Sequence, residues 1–303
     1  MRRDRSSRGL DGIVPRDDAR RVKSRRGRPA PAVPAATEPD GAAPARLPIG
    51  NSFGLPEAIF GIVAGFVLAF LAVSVYVSLS ARPRHPSQYG EDVVSLIALW
   101  AGLVGAVLAA TRLAAREHLR RPGDTAETAA GRGQGSVVRD YGLSLRPWPD
   151  IPLGIAVGVG SQYLLVPVVE APLLPFVHHL YSRLGHPAQS LTGDAFGAGL
   201  VVLAVLVCVG SPIVEELFFR GLLLRSLVGS FAGLGPRLGP GLSIVVTGVV
   251  FALVHFEALQ FLGLAGFGLV LGYLAWRTGR LGPSIVAHMA FNTVTIIAIV
   301  ASR

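Results

Sequence analysis

The run AIFGIVAGFVLAFLAVSVYVSL, Ala58–Leu79, carries no charged residue over its 22 positions. A bilayer core needs roughly 20 apolar residues at about 1.5 Å of helical rise each. The stretch is therefore long enough to cross a membrane as one helix. Five further runs resemble it: Val93–Thr111, bracketed by Asp92 and Arg112, then Ile151–Val169, Ala195–Val214, Ala258–Trp276 and Leu281–Ser302. One more, Gly239–Val254, the fifth of the seven in chain order, is shorter but continues through His255 and Phe256. Spanning strands would be about ten residues long and would alternate in polarity, which these runs do not. The sequence predicts an all-α, polytopic transmembrane helical bundle of about seven spanning helices.

Composition excludes a soluble domain. Hydrophobic residues make up 51% of the chain and charged residues 16%, with a mean hydropathy of +0.52. Soluble domains carry about 25% charged residues, so a water-facing surface could not be covered here. The single cysteine, Cys208, lies inside an apolar run. It excludes an intramolecular disulfide and a cysteine-based zinc site, and reads as a small core residue. Arginine outnumbers lysine 27 to 1, a bias of composition that reads as bacterial.

Residues 1–52 stand apart, with twelve of the 28 basic residues against six acidic ones and no apolar stretch. They are expected to form a disordered basic cytoplasmic tail that faces the anionic inner leaflet, with no nucleic-acid partner. Arg2 and Arg3 are not followed closely by an apolar region, so no cleaved signal is expected. Residues 53–149 read as two N-terminal transmembrane helices and a cytoplasmic loop, flexible around Gly131, Gly133 and Gly135. Residues 150–303 form the remaining helical core. With the N-terminus inside the cell and seven alternating helices, 24 basic residues fall on the inner side and four on the outer. The positive-inside bias thus predicts a multi-pass cell-membrane protein with a cytoplasmic N-terminus. The mixed segment His178–Ala195 is expected along the outer interface.

Ionisable groups within hydrocarbon are costly, and each is a functional hypothesis. Glu170 ends the third run beside Pro167 and Pro172, and the fourth continues into Ser211-Pro-Ile-Val-Glu-Glu-Leu-Phe-Phe-Arg220. The fifth run carries His255, and the seventh carries His288 and Asn292. Glu216 and Arg220 are four residues apart, share a helix face and can pair. Glu215 is rotated from Glu216 by about 100° and cannot use that arginine as directly. One glutamate thus has a structural partner, and the other is freer for chemistry. His288 and Asn292, also four apart, can reach the same point of the bundle interior. A lone intramembrane histidine, or a lone Glu–Arg pair, is ordinary helix packing; this many such residues on three helices is not.

Three motifs, E-E-x-x-x-R at Glu215–Arg220, F-x-x-x-H at Phe251–His255 and H-x-x-x-N at His288–Asn292, occur in this order on separate apolar helices. Together they resemble the CAAX protease and bacteriocin-processing family, the intramembrane endopeptidases related to the type II CAAX prenyl endopeptidase. The resemblance covers roughly Asp150–Ser302, preceded by a lead-in at Tyr141-Gly-Leu-Ser-Leu-Arg146 and Trp148. It implies that 150–303 is a protease core and that the substrate is a membrane-associated peptide or protein. Glu215 would be the general base that activates water. His255 would hold that water, His288 and Asn292 would complete the site with Asn292 donating to the oxyanion, and Glu216 and Arg220 would brace it. Glu215, His255 and His288 also make the two-histidine, one-carboxylate set that suits a divalent metal such as zinc. A metal-free mechanism uses the same residues equally well, and the sequence decides for neither.

Other intramembrane proteases fit poorly. His255-Phe-Glu257 lacks the spacing of H-E-x-x-H, Gly193-Asp194 lacks the earlier glycine of G-x-G-D, and Gly241-Leu-Ser243 is followed by Ile244 where a rhomboid-type site wants glycine. Readings of another class are a non-catalytic scaffold or bacteriocin-immunity protein of the same fold, and a proton-coupled transporter. No repeat relates the two halves of the chain, which counts against the transporter.

Overall fold

Backbone amides in hydrocarbon have no water to bond, so each crossing segment satisfies its own as a helix. A computed structural model describes residues 54–80, 87–120, 135–193, 195 and 197–302, all within the compact unit Ala43–Arg303. The tail at 1–52, and Gly131 and Gly133 of the inner loop, lie outside the described residues. The main helices are α1 Leu55–Ser80, α2 Gln88–Arg120, α3 Pro147–Leu173, α4 Leu180–Gly193, α5 Ala198–Ser230, α6 Leu238–Leu253, α7 Phe261–Thr278 and α8 Gly282–Ala301. Six of them, all but α4 and α6, are long and apolar enough to cross a membrane, and α6 is a shorter apolar helix. The seven apolar runs thus correspond to six spans and one short helix. The fourth run ended at Val214, where Glu215 interrupts the hydropathy, but α5 continues unbroken to Ser230.

The side-chain pattern suits a lipid solvent. Phe60 and Phe70 of α1 are 69% and 72% exposed, whereas Asp150, Glu170, Glu216 and Arg220 are buried. Without a hydrophobic drive between helices, close backbone approach holds the bundle together. A Cβ on Gly102 of α2 would lie 2.5 Å from the backbone nitrogen of Gly65 on α1, and one on Gly268 of α7 would lie 2.9 Å from Cα of Gly248 on α6. The main core gathers Leu103 and Val107 of α2, Phe218, Leu222 and Leu224 of α5, and Phe251 of α6.

Two helices bend for a reason visible in the sequence. In α3 the N–H of Val166 donates to the carbonyl of Ser161, and in α5 that of Ser211 donates to Leu206, each five residues back instead of four. The next residue is proline in both cases, Pro167 and Pro212. A proline offers no N–H and crowds the carbonyl four residues earlier, so the turn before it widens. A third widened stretch, Glu216–Leu223, holds Glu216 and Arg220 of the E-E-x-x-x-R motif and contains no proline. Such turns occur frequently at functional sites.

Helix α6 has 16 residues, about 24 Å of rise, and stops at Leu253. Phe256 then takes a left-handed φ of 56°, and α7 begins at Phe261. The sequence leads to an irregularity near Phe256–Gln260, because a short helix would not otherwise bring His255 to the depth of Glu215; the break leaves His255 just beyond the helix end. Contacts define the two ends of the bundle. At one, Arg225 donates to the carbonyls of Asp140 (3.0 Å) and Gly279 (3.3 Å), Leu281 N–H donates to Gly142 (2.9 Å), and Arg280 pairs with Asp150. The Tyr141–Arg146 lead-in is docked here, and burial pushes the Tyr141 hydroxyl above its ordinary range. At the other end, Gln88 bonds Ser190 (3.0 Å) and Gln260 bonds the Leu184 carbonyl (2.7 Å), joining α2 and the α6–α7 connection to α4.

Candidate active site

The widened turn in α5 creates a polar vacancy in its own backbone. Ser211 N–H is spent on Leu206, so in that register the carbonyl of Val207 would look to Pro212, which has no N–H. Asn292 of α8 supplies the bond instead, with Nδ2 donating to the Val207 oxygen at 2.9 Å. One hydrogen of its amide is thereby fixed and the other is left for a ligand. Asn292 lines the cavity described below.

One turn after Ser211, its hydroxyl donates to Oε1 of Glu215 at 2.6 Å, while Oε2 of that carboxylate has no hydrogen-bond partner. Glu216 points the other way. Its Oε1 accepts from Arg220 Nη1 at 2.8 Å and from His288 Nδ1 at 3.0 Å, and both Glu216 and Arg220 are fully buried. Arg220 also donates to the Gly268 carbonyl at 3.2 Å, and its guanidinium lies 4.5 Å from the Phe251 ring centre. This cation is held by a carboxylate, a carbonyl and an aromatic face, which is how a charge persists inside a bundle.

Because Glu216 accepts from Nδ1 of His288, the neutral ring presents Nε2 as an acceptor. That nitrogen lies 3.9 Å from Oε2 of Glu215, beyond a direct hydrogen bond. His255 is oriented similarly: its Nδ1 donates to the Phe251 carbonyl at 2.6 Å, leaving Nε2 open. Phe251 is the hub between them, with its ring centre 4.7 Å from that of His255 and 5.8 Å from that of His288. Glu215, His255, His288 and Asn292 all line one cavity of about 860 Å³, and Glu216 and Arg220 do not. Of the six residues singled out in the sequence, four reach the cavity and two stand behind it.

Ser211, Phe251 as a ring platform, and the carbonyls of Val207 and Gly268 carried no assigned role in the sequence reading. Ser211 had a signal, because it precedes Glu215 by four residues and so shares its helix face. The two carbonyls had none, since they depend on a widened turn and on a glycine crossing. Among the described residues, no three His, Cys, Asp or Glu side chains are grouped so that they could hold a metal ion. The set Glu215, His255 and His288 is not gathered as ligands.

Fold and site together define a polytopic helical membrane protein with a carboxylate, two histidines and an asparagine around an internal cavity. Within it, residues 197–294 match the family model described as type II CAAX prenyl endopeptidase Rce1-like. The match covers α5 to α7 and most of α8, including all three motifs. The match is narrower than the resemblance from Asp150 and leaves out the Tyr141 lead-in. No curated protein and no solved structure matches the chain.

Proposed function

We propose that this chain is an intramembrane endopeptidase that hydrolyses a peptide bond of a membrane-associated protein or peptide with water activated by Glu215. The observation that carries this reading is the meeting of Glu215, His255, His288 and Asn292 on one cavity, with the Glu216–Arg220 pair behind them. A water between Glu215 Oε2 and His288 Nε2 donates one hydrogen to each, which turns its lone pair to the scissile carbonyl. Glu215 takes its proton as the carbon–oxygen bond forms. The oxyanion is met by the second amide hydrogen of Asn292, and His255 lines the same cavity with its Nε2 open. A preorganised donor in a dry site stabilises such charge far better than water does. The carbon–nitrogen bond then breaks, and Glu215 returns the proton to the leaving amine. Glu216 holds His288 in the required tautomer, and Arg220 holds Glu216 in place. The protein resides in the cell membrane with its N-terminus in the cytoplasm.

The test is cleavage of a panel of membrane-anchored and farnesylated fluorogenic peptides by purified protein. General-base catalysis contributes about 10²–10⁴-fold, so Glu215→Ala is expected to lower kcat by that factor. Activity unaffected by Glu215→Ala would sink the mechanism. A chelator in the same assay is expected to leave turnover unchanged. Loss of activity that zinc restores would instead assign Glu215, His255 and His288 as ligands.

A further inference from the structure

The mechanism leaves one buried carboxylate of the cavity unused. Glu170 sits near the end of α3 at 2% exposure, its Oε2 has no hydrogen-bond partner, and it lines the same cavity as Glu215. Its place is built: a Cβ on Gly263 of α7 would come within 2.5 Å of Glu170 Oε1, so the absence of a side chain there leaves room for the carboxylate. Gln162 and Val166 precede it at four-residue steps on α3 and line the cavity too, and Oε1 of Gln162 is another buried acceptor without a donor. Pro167, which widens the turn before it, is part of the same wall.

The charge of the cavity is one-sided. Among the described residues that line it, Glu170, Glu215 and Glu257 are acidic, as is Asp92, which has a partner of its own, and none is lysine or arginine. Arg220 is fully buried and does not line it. A cleft lined by one sign of charge with low-dielectric walls concentrates the opposite sign. A buried carboxylate with an open oxygen is costly until a donor reaches it, and a cationic side chain is the donor that also satisfies its charge.

We propose that Glu170 is a substrate-binding residue that pairs with an arginine or lysine side chain of the peptide held at Glu215. This deepens the endopeptidase reading and rests on it. The cavity selects a cationic residue near the scissile bond and disfavours an acidic one. Gln162 offers its side-chain oxygen to the same cation.

The experiment uses full-length protein in lipid nanodiscs and quenched, membrane-anchored peptides carrying Arg, Gln or Glu at each position around the scissile bond. At one position, kcat/KM is expected to favour Arg over Gln by about tenfold or more, the scale of a charge-assisted hydrogen bond, and Glu to be poorest. In Glu170→Gln the Arg-to-Gln ratio falls to within about twofold, and Glu170→Asp keeps part of it. Cleavage without charge preference, or a preference that survives Glu170→Gln, overturns the inference and leaves the endopeptidase reading standing. If the wild type cleaves no peptide, the endopeptidase reading fails, and binding decides the role of Glu170. By fluorescence anisotropy on Glu215→Gln protein, the Arg peptide is expected to bind about tenfold more tightly than the Gln peptide, and adding Glu170→Gln to bring the ratio to within about twofold. Equal affinities overturn the assignment.

Discussion

Glu216 Oε1 accepts from both Arg220 and His288, whereas Glu215 accepts from Ser211 and keeps 15% of its side chain open to the cavity side. Removing one partner of a buried ion pair leaves an uncompensated charge, at a cost of about 3–5 kcal/mol. Arg220→Met is therefore expected to lower the unfolding free energy in detergent by that amount. Glu215→Gln keeps an oxygen for Ser211 and is expected to cost about 1 kcal/mol or less while lowering kcat by about 10²–10⁴-fold. Comparable stability losses in the two variants would contradict this division of labour. The division itself was legible, because i to i+4 spacing pairs Glu216 with Arg220 and turns Glu215 away. That Glu216 also holds His288, 72 residues later, was not, because no local spacing encodes a contact between separate helices.

Pro212 is the element-scale cause of the vacancy that Asn292 fills, since it withholds the N–H that the Val207 carbonyl would otherwise find. Pro212→Ala supplies that N–H and removes a ring that costs a helix interior about 3 kcal/mol. Stability is expected to hold or rise in a thermal unfolding assay, while kcat falls by about tenfold or more as Asn292 loses its anchor and its aim. Unchanged activity, or a parallel loss of both, would refute the link between the widened turn and the site. The prolines stand in the sequence, yet the widened turns were not read from it, because a proline in an apolar run is equally compatible with a simple kink. The break after α6 was legible. A short outward helix could not otherwise bring His255 to the depth of Glu215, and non-helical backbone within a membrane is tolerated where it lines a cavity. Val254, His255, Glu257 and Gln260 do line it.

At the scale of the whole molecule, Arg225 and Arg280 gather at one end of the bundle, and the cavity draws its lining from the opposite ends of α3 and α8. The cluster of Arg225, Arg280 and their carbonyl and carboxylate partners joins the starts of α3 and α8 to the ends of α5 and α7. None of these residues lines the cavity, which is walled instead by Asp92 and Ser95 early in α2, Glu170, Leu184 of α4, Gln260 and Ser302. The sequence placed 24 of 28 basic residues on the inner side by alternation alone, and the structure brings the predicted inner ends of four helices together. If the positive-inside rule holds for this bundle, the cavity opens away from the cytoplasm and receives substrate from the outer leaflet or beyond. Single cysteines test this in a Cys208→Ala background. Ser87→Cys, just before α2, is expected to react with a membrane-impermeant maleimide on intact cells. Ala232→Cys, in the α5–α6 connection, is expected to react only after permeabilisation. The reverse pattern would invert the protein and turn the cavity to the cytoplasm. Its acidic lining would then select among cytoplasmic peptides, and the chemistry at Glu215 would be unchanged.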